Sequence, residues 1–553
     1  MSQLEYMEKK ESTDKVTTAE PVAIDDSQES EKVESSPMST LQKREDGTDY
    51  PSGLKLFLII LALCLSVFLM ALDNSIIATA IPKITDQFNS LDDVGWYGSA
   101  YMLTTASLQL LSGKFYSFFS IKWVFLASIA LFELGSLICG VAQNSLTLII
   151  GRAVAGMGSA AIFSGALIIL AHSVPLEHRP MYSGFIGSMY GIASVAGPLL
   201  GGAFTDKVTW RWCFFINLPI GAVTLLVITI FFPDPQLKTE SEPWSKRFRR
   251  FDPLGNLVFM PAIICLLLVM QWGGTTYAWN SWRVILLFCL FGVLLIVFLF
   301  VQYWQQDFAT VPPRIFLKRT VWSAAVFTFC LGAAFLSSVY YLPIWFQAVK
   351  NANAVNSGIM NLPLLISNVV ASILSGVAVT TIGYYTPFML LASIITPISY
   401  GLMTTFHPDT PHPIWIGYQI LAGFGIGFGV QQPLIAVQVV LDISDVPTGT
   451  ALMVFMQVLG GALFVSVDEN VFSNKLVQYI GEYAPRVNPL VVLGAGATGI
   501  KQVVDAANLP GVLLAYNNAI TQTFVVGAAM AGISIVGAMI VEWKSVKEKN
   551  IGM

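Results

Sequence analysis

The feature of this sequence that most constrains its fold is a succession of long apolar runs separated by short polar stretches. From Leu54 onward there are about fourteen runs of about 17 to 25 mostly apolar residues, the length at which a helix crosses the hydrocarbon core of a bilayer. Lipid offers no hydrogen-bond partners, so a spanning segment must satisfy its own backbone groups, which favours helices. The sequence therefore predicts an all-α membrane protein with many spans.

The apolar runs fall into a group of six, a pair and a second group of six. The predicted spans begin near Leu54, Gly95, Trp123, Leu146, Met181, Cys213, Leu254, Trp282, Val321, Ser357, Pro387, Ile414, Gly449 and Thr523. Two six-helix halves joined by a linker are the plan of many secondary carriers. We therefore predict two six-helix bundles with two additional transmembrane helices between them.

The polar stretches set the predicted domain boundaries. Residues 1–50 are rich in Glu, Asp, Ser, Thr and Lys and have too little apolar area to offset the entropy of ordering, so they are predicted to form a disordered cytoplasmic tail. The further predicted regions are an N-terminal bundle at 54–232, a cytoplasmic linker at 233–253, the inserted helices at 254–303, a cytoplasmic loop at 304–320, a C-terminal bundle at 321–543 with a long extracellular loop at 469–522, and a cytoplasmic tail at 544–553.

Composition excludes several classes of function. Only 12% of the residues are charged and the mean hydropathy is +0.66. The chain has no basic patch of the kind that binds nucleic acid and no phosphate-binding Gly-x-x-x-x-Gly-Lys-Ser/Thr loop for ATP. Its four histidines and six cysteines show neither metal-ligand nor disulfide spacing, and no nucleophile lies at a fixed spacing from a base. We expect a protein that is not an enzyme, with no cofactor, no metal, no ATP and no nucleic acid.

The distribution of basic residues predicts the orientation. Positive side chains concentrate on cytoplasmic loops, and here they cluster after the even-numbered spans, with Lys122, Arg179, Arg250, Arg319 and Lys544 as examples. Both termini are therefore predicted to be cytoplasmic. We expect a monomer in the plasma membrane, with the vacuolar membrane as the alternative.

Three ionisable residues lie inside apolar runs and are the candidates for proton coupling. Asp73 lies about twenty residues into the first span, where an ionised carboxylate costs several kcal/mol unless it is paired or hydrated. The alternative is that Asp73 lies at the outer interface and caps a helix end. Arg152 in the fourth span cannot face lipid cheaply and must face a cavity or a carboxylate. Glu133 in the third span is either a second proton site or a structural, hydrogen-bonded acid. By contrast, Asp468 and Glu469 are placed at the outer end of the thirteenth span, as interfacial residues.

Four motifs follow one another along the first half of the chain. They are LDNSIIATAIP at 72–82, GRAVAGMG at 151–158, GPLLGG at 197–202 and WRWCFFINLP at 210–219. On these motifs the chain resembles the fourteen-helix drug:proton antiporters of the major facilitator superfamily, especially the fungal members that export toxins and secondary metabolites. The resemblance extends from about Leu54 to Trp543.

The resemblance implies roles for several residues. At two positions the sequence departs from the family's pattern. It implies that Arg152 couples to Asp73 and that the fifth-span motif acts in the conformational switch. The predicted switch residues are Gly197, Pro198, Gly201 and Gly202, with Gly113 and Lys114 in GKFYSFFSIK at 113–122, which is similar to the second-loop motif of the superfamily. In that loop Ser117 stands where an acidic residue is usual and Ile121 where a basic residue is usual. The charge relay that the resemblance implies for this loop therefore lacks two of its charged residues.

Aromatic and amide side chains within the spans are the candidates for substrate contact, because apolar walls with few polar groups suit bulky, weakly polar ligands. The candidates are Tyr101, Gln109, Tyr341, Trp345, Gln347, Gln431, Gln432 and Gln457. We predict a secondary active transporter that exports small, mostly apolar organic molecules by proton antiport with alternating access. The alternatives are a proton-coupled importer or vacuolar transporter for siderophores or basic amino acids, and a non-transporting membrane sensor with a carrier fold.

Overall fold

The computed structural model describes residues 50–88, 90, 93–234, 251–274 and 276–547, so the predicted tail 1–50 except Tyr50, residues 548–553 of the predicted tail 544–553, and most of the linker 233–253 lie outside the described residues. The regular elements within those ranges are helical, apart from two isolated bridges. The helices are α1 (Gly53–Phe88), α2 (Val94–Phe118), α3 (Ile121–Val141), α4 (Ser145–Ser173), α5 (Arg179–Lys207), α6 (Trp212–Phe215), α7 (Asn217–Phe231), α8 (Pro253–Trp272), α9 (Trp282–Gln305), α10 (Pro313–Phe316), α11 (Arg319–Ala348), α12 (Ala354–Met360), α13 (Leu362–Ile382), α14 (Thr386–Met403), α15 (His412–Gly429), α16 (Gln432–Val440), α17 (Val446–Tyr483), α18 (Pro489–Val503) and α19 (Leu509–Ile540).

Most of these helices are long and apolar enough to cross a membrane. Among the described residues there are 13 such segments, three of which join consecutive helices: α6 with α7, α12 with α13, and α15 with α16. The 25-residue helix α2 is less apolar because it carries several Thr and Ser residues and Gln109. The prediction of an all-α membrane protein is confirmed, and α2 with the 13 segments gives the predicted number of spans.

The two six-helix halves repeat one pattern of packing. In the N-terminal half, α1–α7, α1 packs against α5 and α7, α2 against α4, and α3 against α4 and α7. In the C-terminal half, α11–α19, α11 packs against α17 and α19, α13 against α15, and α14 against α15 and α19. The halves meet through α2 with α17 and α5 with α13, which pairs the second span of each half with the fifth span of the other. This reciprocity is the pattern of an internal repeat.

The seam between the halves is packed closely at one end of the bundle. We call the end at which α1 begins the basal end and the opposite end the distal end. Residues Gly158–Ala171 of α4, Gln432–Val439 of α16 and Val446–Phe455 of α17 are all buried at or toward the basal end. Farther along α17, Met456–Leu459 are partly exposed. The halves are therefore closed against each other at the basal end.

The inserted helices α8 and α9 pack against each other, and α8 lies against α2 and α17. Phe251, just before α8, contacts three rings at the basal end of α2, with centroid distances of 5.3 to 5.5 Å to Phe115, Phe118 and Phe119. The insertion therefore covers the outer side of one of the two seams between the halves.

One predicted region differs from the structure. In place of a loop at 469–522, α17 continues to Tyr483, α18 follows, and the last span begins at Leu509 rather than near Thr523. Asn517 and Thr523 interrupt the apolar run, yet both are fully buried, and Asn517 accepts a hydrogen bond from Trp345. A hydropathy pattern cannot distinguish such internally bonded polar residues from a loop.

The distal extensions of α17 and α19 pack against each other, with Phe472 and Tyr516 rings 5.3 Å apart. Asp468 and Glu469 do not end the thirteenth helix as predicted, because α17 continues to Tyr483, and Asp468 is fully buried among protein side chains.

We predict that Gly376→Val weakens the basal seam. A Cβ atom on Gly376 of α13 would lie 2.5 Å from the carbonyl oxygen of Pro180 and 3.1 Å from Cα of Met181, both backbone atoms of α5. Overpacking of this kind costs about 1–3 kcal/mol, so the apparent Tm of the purified protein should fall. Gly401→Val is the matched control, because no atom lies within 4 Å of a Cβ there. Equal Tm values for the two variants would contradict the prediction.

Candidate functional site

A buried ion pair joins the first and fourth helices. Arg152 of α4 donates a hydrogen bond from Nη1 to Oδ2 of Asp73 in α1, and neither side chain has any solvent exposure. Asp73 is the twenty-first residue of a 36-residue helix, so it does not cap a helix end. Of the two positions predicted for Arg152, a cavity or a carboxylate, the structure shows the carboxylate.

Neighbouring helices hold both charges in place. Arg152 Nε donates to the backbone oxygen of Tyr97 at 2.8 Å, and its guanidinium lies 4.5 Å from the centre of the Tyr101 ring. Asn217, the first residue of α7, donates from Nδ2 to Oδ1 of Asp73 at 3.2 Å and to Ser136 of α3 at 3.0 Å. The pair therefore connects α1, α2, α4 and α7 inside the N-terminal half.

Glu133 of α3 lies near this pair. Its carboxylate is buried, interacts electrostatically with Asp73, and faces Gly221 of α7, where a Cβ would lie 1.9 Å from Oε1. Among the described residues neither carboxylate oxygen has a hydrogen-bond partner. The structure thus places Glu133 beside the ion pair without the hydrogen bonds of a structural acid.

Three of the aromatic residues predicted to contact substrate are held by protein partners. Tyr101 packs on Arg152 and donates to the backbone oxygen of Met70 at 3.3 Å. Tyr341 donates to Oε2 of Glu469 at 3.1 Å. Trp345 is fully buried and donates to Asn517 at 2.8 Å. These side chains are positioned inside their own halves.

The predicted amide residues behave differently, because several lack partners. Gln431 and Gln432 lie where α15 ends and α16 begins, in the middle of one span, and both are buried. Among described residues, neither side-chain atom of Gln432 has a hydrogen-bond partner, and Gln431 Oε1 and Gln109 Nε2 also have none. Gln347 donates to Ser357 at 3.4 Å, and Gln457 is partly exposed. Unpaired buried amides at a broken span are groups that a ligand can satisfy.

The fifth-span motif presents two faces to different partners. A Cβ on Gly197 or Gly201 would lie 2.2 Å from the hydroxyl of Ser75 or Thr79, so these glycines allow α5 to approach α1 within the N-terminal half. The neighbouring Pro198 and Gly202 face α12 of the C-terminal half: a Cβ on Gly358 of α12 would lie 3.9 Å from Cβ of Pro198, and a Cβ on Gly202 would lie 4.0 Å from the Val355 side chain. One helix therefore contacts both the helix that carries Asp73 and the opposite half.

At the basal end, a charged network that the sequence did not predict surrounds Lys114. Arg314 donates to both carboxylate oxygens of Asp445, the N-cap of α17, at 2.5 and 2.9 Å, and to Asp307 at 2.7 Å. The hydrogen bond to Asp445 raises the pKa of the Arg314 guanidinium above its ordinary value. Lys114 is buried and interacts electrostatically with the carboxylates of Asp445 and Asp252.

Asp252 ties the insertion into this network. It has a positive φ of 49° and is fully buried at the start of α8. Its carboxylate accepts hydrogen bonds from Gln302 and Gln305 of α9 at 2.6 and 2.5 Å and from the backbone N–H of Thr310 at 2.8 Å. Gly113, next to Lys114, packs on the start of α17, with a Cβ position 2.8 Å from Ala451. The basal ends of α2, α8, α9 and α17 are thus held together by charge.

A crevice of about 400 Å³ opens at the distal end between the inserted helices and α17. Its walls include Met270, Val467 and Asn470, and Trp279 donates to Asn470 Oδ1 at 2.9 Å. Asp468, on another face of α17, is not part of its lining. This crevice is therefore separate from the buried charges.

Comparisons with known proteins agree with this architecture. The sequence profile of the Major Facilitator Superfamily matches residues 63–465. The chain is 57% identical over 504 residues to the MFS-type efflux pump MFS1 of Trichophyton rubrum, covering 91% of this chain and 94% of that protein. It is 54% identical to the MFS-type transporter astH of Aspergillus oryzae, covering 93% and 91%, and 50% identical to the efflux pump aflT of Aspergillus parasiticus, covering 92% and 100%.

Solved structures support the same fold at low sequence identity. The human organic anion transporter MFSD10 superposes with a TM-score of 0.56 at 12% identity, covering 87% of this chain and all of that one. A bacterial homologue of the human lysosomal transporter Spinster gives a TM-score of 0.53 at 14% identity, covering 89% and 98%. At these identities the likeness shows the fold alone. From the profile and the relatives together, the chain belongs to the Major Facilitator Superfamily of multi-pass membrane transporters.

Proposed function

We propose that this chain exports small, mostly apolar organic molecules by proton antiport, with alternating access of a central site to the two sides of the membrane. The relatives named as efflux pumps, at 50 to 57% identity over about nine-tenths of the chain, support the direction of transport. The observation that carries the coupling part of the proposal is the fully buried Asp73–Arg152 pair. We place the basal end in the cytoplasm, with both termini there, and the monomeric protein in the plasma membrane.

The ion pair is suited to a proton-controlled contact. Removing one partner of a buried pair leaves an uncompensated charge, which costs about 3–5 kcal/mol. Protonation of Asp73 neutralises one partner without a mutation, and Arg152 then keeps its contacts to the Tyr97 carbonyl and the Tyr101 ring. Because both side chains are fully buried here, proton exchange takes place in a second conformation in which water reaches the carboxylate.

A continuous set of helices connects this pair to the seam between the halves. Asp73 lies on α1, α1 packs against α5 through Gly197 and Gly201, and α5 faces α12 through Pro198 and Gly202. In the proposed cycle, loss of the Asp73 charge loosens α1 from α4 and lets α5 shift with it. Gly113 and Lys114 act at the other seam, where α2 meets the start of α17.

Substrate is proposed to bind where the fourth span of the C-terminal half is broken. Gln431 lies against Gly187 of α5, with 1.7 Å between its Nε2 and a Cβ position there, so it is at the interface of the two halves. Gln109, Gln431 and Gln432 supply donors and acceptors without protein partners, and the surrounding apolar walls accept the rest of the molecule. Glu133 is a further proton-coupling candidate beside Asp73. Tyr341, Trp345, Gln347 and Gln457 remain candidates on the facing half.

The available energy is sufficient for the proposed transport. A potential of 100 mV contributes about 2.3 kcal/mol per charge moved, and each pH unit adds about 1.4 kcal/mol per proton. Together these values support roughly a hundredfold or greater gradient of a neutral substrate for one proton.

We predict that Asp73→Asn abolishes proton-driven accumulation. The purified protein is reconstituted in phosphatidylcholine vesicles, a pH gradient is imposed, and uptake of the fluorescent dye rhodamine 6G is followed. The variant cannot exchange a proton at this position, so accumulation should equal that of protein-free vesicles. Asp86→Asn is the matched control, an exposed acid on the same helix, and should accumulate dye like the wild type. Wild-type accumulation by Asp73→Asn at matched protein density would remove Asp73 from the mechanism.

We predict that the two charges stabilise the fold only as a pair. Asp73→Asn should lower the apparent Tm more than Arg152→Gln, because a lone carboxyl can take up a proton whereas a lone arginine remains charged. The double variant should recover most of the loss of about 3–5 kcal/mol and still transport nothing. Thermal unfolding in detergent measures the four proteins. Additive losses in the double variant would show that the pair is not coupled.

We predict that Gln432→Leu weakens substrate binding without lowering the stability of the fold. Replacing an unpaired buried amide by an apolar group should leave the Tm unchanged or raise it. Loss of one hydrogen bond to a ligand should weaken rhodamine 6G binding about fivefold, as measured by fluorescence polarisation. Gln419→Leu is the control, since Gln419 in the same span already donates to the Met360 carbonyl at 3.1 Å. Unchanged binding together with a lower Tm would make Gln432 a structural residue.

A further inference from the structure

The C-terminal half contains a buried carboxyl that the cycle described above does not use. Asp468 and Glu469 are adjacent in the 38-residue helix α17, but their surroundings differ. Glu469 is partly exposed and accepts hydrogen bonds from Tyr341 at 3.1 Å and Ser473 at 3.4 Å. Asp468 is fully buried, and among the described residues neither of its oxygens has a hydrogen bond of acceptable geometry.

The polar groups around Asp468 are weak or already engaged. The Ser337 hydroxyl of α11 is close enough to interact with it. Tyr341 of α11 and Tyr400 of α14 interact with it electrostatically, but the Tyr341 hydroxyl donates to Glu469 and the Tyr400 hydroxyl donates to the backbone oxygen of Ala334. None of these groups carries a positive charge.

No cation in the described part of the chain forms an ion pair with Asp468. Helices α2, α4, α8, α11, α16, α18 and α19 pack against α17, and α8, α16 and α19 contain no basic residue. The basic residues on the other helices lie elsewhere: Lys114 near Asp445, Arg152 on Asp73, His172 near the basal end of α4, Arg319 bonded to the Ile540 carbonyl, and Lys501 exposed at the end of α18. On α17 itself, Lys475 donates to Gln478 at 3.0 Å and lies over the Tyr479 ring.

An ionised carboxylate in such a position, within a span and without a cation, costs several kcal/mol, whereas the protonated acid costs much less. We propose that Asp468 is a second proton-binding carboxyl of the transporter, that it holds its proton in the conformation seen here, and that it releases the proton when α11 and α17 separate and water enters. This inference rests on the proposed proton antiport and adds a site in the other half.

Asp73 in one half and Asp468 in the other then have opposite protonation states. Asp73 is charged because Arg152 accompanies it, and Asp468 is neutral because no cation does. A transporter with one carboxyl in each state carries at least one proton in this conformation and can bind a second when the Asp73–Arg152 pair opens. The proposal therefore predicts that more than one proton moves per cycle.

The protonation state can be tested without any substrate. Infrared spectra of the full-length protein in phosphatidylcholine nanodiscs at neutral pH should show a protonated-carboxyl C=O band that is lost in Asp468→Asn. Glu469→Gln, the adjacent and hydrogen-bonded acid, is the matched control and should keep that band, as should Asp73→Asn. Because Asn resembles a neutral carboxyl, Asp468→Asn should also keep the wild-type Tm. A spectrum unchanged by Asp468→Asn would show that Asp468 is ionised and would overturn the proposal.

Release of the proton is tested by transport. Vesicles with rhodamine 6G and a gradient of one pH unit are held at zero potential with valinomycin and equal potassium. Each coupled proton supports a tenfold concentration ratio under these conditions, so Asp468→Asn should lower the steady-state ratio about tenfold, while Glu469→Gln should not. An unchanged ratio with unchanged dye binding would make Asp468 a structural acid. An unchanged ratio with weaker rhodamine 6G binding would make it a ligand for the positively charged dye. If the wild type itself moves no dye in response to pH, the antiport proposal fails, and the infrared result still decides the state of Asp468.

Discussion

An arginine and an aspartate buried without solvent contact inside one half of a membrane protein are a costly arrangement. Their mutual attraction offsets the cost of dehydration only when the geometry is good and further hydrogen bonds complete both groups. Here Asn217 donates to the Asp73 carboxylate, and the Tyr97 carbonyl and Tyr101 ring accept the guanidinium. The pair and its hydrogen-bond partners thus connect α1, α2, α4 and α7 inside the N-terminal half.

In the proposed cycle, the packing of the helices determines how a change in that pair reaches the seam between the halves. Close packing requires small residues where helices cross, and α5 has them on two faces, toward α1 and toward α12. The reciprocal contacts of α2 with α17 and of α5 with α13 mean that the halves meet along two equivalent seams. In the alternating access that we propose, one half rotates about these seams and exchanges basal closure for distal closure. The basal closure described here is one end state of that proposed motion.

The sequence predicted the features that the lipid environment constrains most strongly. The spans, the insertion, and the two charges Asp73 and Arg152 follow from hydropathy and from the rarity of ionisable residues at bilayer depth. Other features carry no such signal. Asn217 is one amide in an apolar run, and only the fold shows that it contacts Asp73. Trp345 fits the pattern of a cavity residue, yet it packs on Phe406 with ring centres 4.7 Å apart. The start of α19 was placed too late because its polar residues are satisfied by other helices.

In the basal network, carboxylates from other elements stand in for the acidic residue that the second-loop motif lacks. Ser117, in the last turn of α2, stands where the resemblance implies an acidic residue, so Lys114 has no carboxylate of its own motif to face. The structure supplies two from other elements: Asp445 at the start of α17 and Asp252 at the start of the insertion. Because Asp252 is also fixed by Gln302 of α9, the two inserted helices are tied into the closed end of the transporter. The insertion is therefore part of the basal closure as well as a lipid-facing addition, and the sequence change at Ser117 and the presence of the extra helices belong to one electrostatic arrangement.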